Sequence, residues 1–186
     1  MNKFLAIGLI AGAGALMASC SKDASNSDFS QNAIEFGTYL GRDAQTKGKV
    51  TDINTVKDGF GVTAFYTGQK TWEKFNTTES PAGAPNFMYN QKVTSTDGTA
   101  WSYSPVKYWP TAVGDKISFF AYAPMAAESN GSFTLSDNTK TGTPTINVTY
   151  PTDLTKMVDL VAGVALDKTH NNTENADNEV KFTLKH

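Results

Sequence analysis

Beyond an apolar opening segment, the hydrophobic residues fall in short runs with a period of two. Ile34, Phe36 and Leu40 share one face of residues 33–40, which predicts a strand. Residues 60–66 place Phe60, Val62, Ala64 and Tyr66 on one face, and residues 87–94 do the same with Phe87, Tyr89 and Val93. Residues 100–103 and 106–109 are short and aromatic. Residues 116–122 are apolar almost throughout, the pattern of a central strand covered on both faces. Residues 132–135, 145–150, 158–164 and 180–184 complete the set. Residues 41–52 read as a polar loop, residues 53–57 as one helical turn before Asp58-Gly59, and residues 152–157 as a short helix. No stretch after the opening segment sustains a 3.6 period for three turns. Short strands separated by Asp-Gly, Gly-Asp, Asn-Gly and Pro breaks predict an all-β sandwich with little helix.

The opening segment differs. Lys3 precedes an apolar run from Phe4 to Met17, and Ala18-Ser19-Cys20-Ser21 follows. The run is shorter than the roughly 20 residues a membrane-spanning helix needs. A basic start, an apolar segment, small residues and then the chain's single cysteine form the layout of a bacterial lipoprotein signal. Cutting between Ser19 and Cys20 leaves a thiol that carries diacylglycerol as a thioether, which tethers the chain to a membrane. Residues 1–19 are thus expected to be a signal peptide and residues 20–32 a flexible polar tether. Residues 33–186 suit one domain of ordinary size.

Net charge is −2 without a long charge run, which argues against nucleic acid as a partner. With Cys20 lipidated no disulfide can form, so stability must come from packing. Catalytic constellations are missing. His170 lies in the polar segment 167–179, expected to be an exposed loop, and His186 is the last residue. No Cys/His cluster suits zinc and no glycine-rich loop suits phosphate. The expectation is a non-enzyme without metal or cofactor. The aromatic cluster of Trp101, Tyr103, Tyr108 and Trp109 has two readings: the core and corners of a sandwich, or a platform on which sugar rings stack.

That cluster also carries a resemblance. Trp101-x-Tyr103, then Tyr108-Trp109-Pro110, then the run from Gly114 to Pro124 resemble the fimbrillin (Mfa-like) family of Bacteroidetes lipoproteins, the subunits of type V pili. Ile34-x-Phe36 followed by Thr46-Lys47-Gly48 resembles the family's first strand and its Thr-Arg-Ala step, with Lys47 where the family has arginine. Residues 60–65, 158–162 and 180–186 resemble later strands. The resemblance covers residues 33–186 and implies a Greek-key or transthyretin-like β-sandwich of about seven strands. Family members usually carry a second β-domain after the segment resembling residues 180–186. With the sequence stopping at His186, the expectation is the N-terminal domain of a longer subunit, or a truncated product, able to accept a strand but not to donate one.

The resemblance further implies an outer-membrane lipoprotein that becomes part of a fimbrium. A trypsin-like protease would cut the loop after the first strand, and a strand from another subunit would replace the one removed. Arg42, the only arginine, and Lys47 are the candidate cleavage positions. Ile34, Phe36, Tyr39 and Leu40 are the candidate groove-filling side chains of the displaced strand. An anchor subunit would keep Cys20 and this strand, whereas a stalk subunit would lose both. The alternative is a surface glycan-binding lipoprotein using the aromatic platform.

Overall fold

Nine strands and two short helices are present over the residues described by the computed structural model, which are 32–41, 51–125, 132–170 and 179–186. Ser19, Cys20, Arg42 and Lys47 lie outside them. In chain order the strands are β1 Glu35–Leu40, β2 Phe60–Gly68, β3 Met88–Ser95, β4 Trp101–Ser102, β5 Lys116–Ala123, β6 Phe133–Leu135, β7 Ile146–Val148, β8 Val161–Lys168 and β9 Glu179–Leu184. Helix α1, Ile53–Lys57, is the predicted single turn. It is capped by Asp52, whose carboxylate accepts from the Thr55 N–H at 2.9 Å. Helix α2, Trp72–Phe75, was not expected, and the predicted helix at 152–157 is a 3-10 turn at Leu154–Lys156.

The architecture is the expected all-β sandwich, with nine strands in place of about seven. One side is an antiparallel sheet in the order β4-β3-β2-β5-β8. The other is a pair in which β1 runs parallel to β9. Phe60, Val62 and Ala64 of β2 face Ile117, Phe119 and Ala121 of β5 across the sheet, and all pack against Phe36, Val180, Phe182 and Leu184 of the pair. Strand β9 passes close over β8, with mutual bonds between Ala162 and Lys185 at 2.7 and 2.9 Å. Gly163 permits that crossing, since a Cβ there would lie 2.6 Å from the Thr183 carbonyl oxygen.

Strand β5 is apolar but for Lys116 and Ser118, because both its faces are covered. Its outer face sends Tyr122 to Phe133 and Leu135 of the β6–β7 hairpin, and Phe120 to Phe65 and Trp72. One expected phase shifts. Tyr89 is not on the inner face with Val93; Met88 is. The cause is an irregularity between β2 and β3, where Asn90 adopts φ 45°. Asn90 is held there by the Tyr122 hydroxyl, which donates to its Oδ1 at 2.5 Å. Tyr66 keeps the expected phase, in register with Ile117, but stands exposed toward the end of β2, where its hydroxyl donates to Asp115.

Phe182 is fully buried between Phe36 and Phe60, with ring centroids 6.0 Å from each. Replacing it with alanine removes contacts from both layers, so Phe182→Ala should lose about 3–5 kcal/mol in urea denaturation. Tyr39→Ala, on the exposed side of β1, should change stability by no more than about 0.5 kcal/mol in the same measurement.

Candidate functional site

Strand β1 is the element on which the expected chemistry converges. Its alternation directs Ile34, Phe36, Thr38 and Leu40 inward and Glu35 and Tyr39 outward. Ile34 and Phe36 are almost fully buried and Leu40 packs partly against the core. Tyr39 is 62% exposed, which corrects its expected place among the groove-filling residues: it stands at an odd position on a strand whose even positions face the core. Phe36 sits deepest. Its ring is 5.0 Å from Tyr103, 5.9 Å from Phe119 and 6.0 Å from Phe182.

Backbone pairing holds β1 unevenly. One edge runs in register with β9 from Glu35↔Glu179 to Leu40↔Leu184, and the Gly41 N–H continues it to the Leu184 carbonyl at 3.0 Å. The other edge is clasped only at its start. There the Ile34 N–H donates to the Lys107 carbonyl and the Trp109 N–H to the Asn32 carbonyl, both at 2.9 Å. Beyond Ile34, the backbone groups of Phe36, Thr38 and Leu40 point away from β9. No strand among the described residues pairs with them. Such an edge is open to further pairing.

Tyr103 locks the clasp. Its hydroxyl donates to the Ile34 carbonyl at 2.9 Å and accepts from the Lys107 N–H at 3.1 Å. Burial raises the pKa of this phenol above its ordinary value, so it remains a neutral donor at physiological pH. Composition and periodicity gave no sign of this role; the only signal was a tyrosine within an aromatic cluster.

The other cluster residues are dispersed. Trp101 is half-buried edge-on against Phe60, with ring centroids 5.1 Å apart, and Tyr108 is exposed. Trp109 is only 5% exposed and packs on Phe119. These four residues therefore do not form a shared stacking face. The alternative reading of a glycan platform is corrected at Trp109, whose ring the sandwich core has taken. His170 is not simply exposed: its ring stacks on Trp109 at 6.1 Å. Sequence reading also missed Asp159. Its carboxylate accepts from the Thr51 N–H at 2.6 Å and lies 2.7 Å from Nδ1 of His186. Among the described residues no three His, Cys, Asp or Glu side chains gather as a metal site, and no helix is long and apolar enough to cross a membrane.

Removing the Tyr103 hydroxyl leaves the Ile34 carbonyl without its side-chain donor in a partly buried place. Tyr103→Phe should cost about 1–2 kcal/mol. Hydrogen exchange should show the loss as faster opening of β1 amides, with β2 and β5 amides shifted less.

The chain matches the fimbrillin-like family over residues 46–186. The match takes in Thr46-Lys47-Gly48 and every strand from β2 to β9, and it begins after β1, so Ile34 and Phe36 precede it. No curated protein and no solved structure matches the chain. The matched region spans most of the sequence and the whole five-stranded sheet; the chain belongs to the fimbrillin-like family.

Proposed function

We propose that this chain is a pilus subunit, delivered as a lipoprotein and assembled by exchange of its first strand. Membership of the fimbrillin-like family supports the pilus-subunit role, assembly with other pilin subunits and a cell-surface fimbrial location. The family is one of structural subunits rather than enzymes.

The observation that carries the exchange step is how β1 is held. It pairs along its length with one strand, is clasped at one end, and belongs to no part of the five-stranded sheet. It can leave while that sheet stays intact. Its departure would uncover Phe60, Phe119 and Phe182 beside the bare edge of β9. Each large side chain withdrawn forfeits about 1.5–3 kcal/mol of burial. Unpaired backbone groups along β9 add to that cost. An extended segment from another subunit recovers both terms by adding itself as a strand.

The sequence supplies the remaining steps. Cys20 accepts the lipid and delivers the precursor to the outer membrane. A protease with trypsin-like specificity cuts at Arg42 or Lys47, in the polar stretch of sequence between β1 and α1. The lipid, the tether and β1 then separate from the body of the domain. A subunit that escapes cutting keeps all three and serves as an anchor.

Treating lipidated precursor with a trypsin-like protease should yield a stable product whose N-terminus is Asp43 or Gly48. A resistant product still beginning at Cys20 overturns the maturation step. Cys20→Ala should abolish incorporation of labelled fatty acid and leave the protein out of the outer-membrane fraction; unchanged labelling overturns the lipoprotein assignment.

A further inference from the structure

Thr38 is the anomaly within β1. It occupies the inward face between Phe36 and Leu40 and stands in register with Phe182. Its hydroxyl oxygen is out of contact with solvent and has no hydrogen-bond partner among the described residues. Trp109 Nε1, on the segment that clasps β1, is buried without a partner as well. Burying a hydroxyl with nothing to bond is destabilising. Threonine and valine have nearly the same shape and both favour strands. The groove therefore has space for a β-branched side chain at this point and chemistry suited to an apolar one.

We propose that Thr38 makes β1 a loosely held occupant of its own groove, and that the groove prefers an extended peptide bearing a β-branched aliphatic residue at that position. The inference rests on the strand-exchange reading. It adds to that reading a position that decides which strand wins. The favoured partner is a segment of another subunit whose alternate residues match Ile34, Phe36 and Leu40 and place valine or isoleucine where Thr38 now sits. Such a strand keeps the aromatic contacts of Phe36 and removes the unpaired hydroxyl. Replacement then runs downhill at a single internal site, without a larger interface.

Two measurements on the full chain test this. Hydrogen exchange at the amides of Gly37, Tyr39 and Gly41, which face β9, reports the opening of β1. Thr38→Val should slow that exchange about tenfold, the effect of removing one unpaired buried hydroxyl. Thr38→Ser, which keeps the hydroxyl and loses the methyl, should exchange at least as fast as the native chain. Unchanged or faster exchange in Thr38→Val overturns the proposal. The second measurement offers the native chain two labelled peptides, one of residues 33–41 and one with valine at the Thr38 place. The valine peptide should be captured about tenfold more, by the same hydroxyl removal. Equal capture overturns the preference. Capture of neither peptide, with Thr38→Val exchange still slowed, overturns strand exchange and the partner preference while upholding Thr38 as the loose point of β1.

Discussion

The packing of Phe36 among Phe60, Phe119, Tyr103 and Phe182 is the contact on which the sandwich depends. It joins three parts of the chain that lie far apart in sequence: the first strand, the central pair β2 and β5, and the last strand. Ring centroids at 5.0–6.5 Å, two of the four pairs edge-on, are an arrangement in which aromatic pairs add to simple burial. Without β1 the five-stranded sheet would face a layer consisting of β9 alone.

This arrangement divides the molecule into a part that can assemble from its own neighbours and a part that must wait. β2, β3 and β5 pair antiparallel through modest separations in the chain. β1 cannot pair until β9 exists, because its register partners run from Glu179 to Leu184. Closing so long a loop carries a large entropic cost before any contact rewards it. The same separation makes β1 dispensable to the sheet. Whatever segment reaches the groove with the right alternation can stand in its place, which is why small differences such as a single buried hydroxyl acquire weight.

Much of the fold was legible from alternation alone. β1, β2, β5 and β9 lie where their apolar periods place them, whereas β8, expected at residues 158–164, runs from Val161 to Lys168; β5 carries its apolar run because separate clusters cover its faces. What escaped was phase and partnership. Tyr89 reads as inward by simple counting, yet the turn of backbone at Asn90 hands that place to Met88. Tyr39 was grouped with Leu40 although it occupies the opposite face. Helix α2 is too short to show a period; Trp72 is fixed by its rings against Phe65 and Phe120 and by its N–H donating to Asp167 at 2.6 Å. At the candidate site, the large residues of β1 could be read directly. The Tyr103 latch and the Thr38 orphan could not, because each is defined by an atom contributed, or withheld, by a distant segment.

The parallel alignment of β1 with β9 also has a mechanical meaning. When two neighbouring strands run the same way, pulling one backward by its start and the other forward by its end slides them past each other. The tension then falls on every register pair from Glu35↔Glu179 to Leu40↔Leu184 together, instead of peeling them one at a time. An antiparallel pair gripped at one shared end would unzip under a much smaller load. A strand occupying this groove in the β1 direction is thus gripped in shear, so a joint that opens readily to a competing strand can still resist a tug along the strand axis.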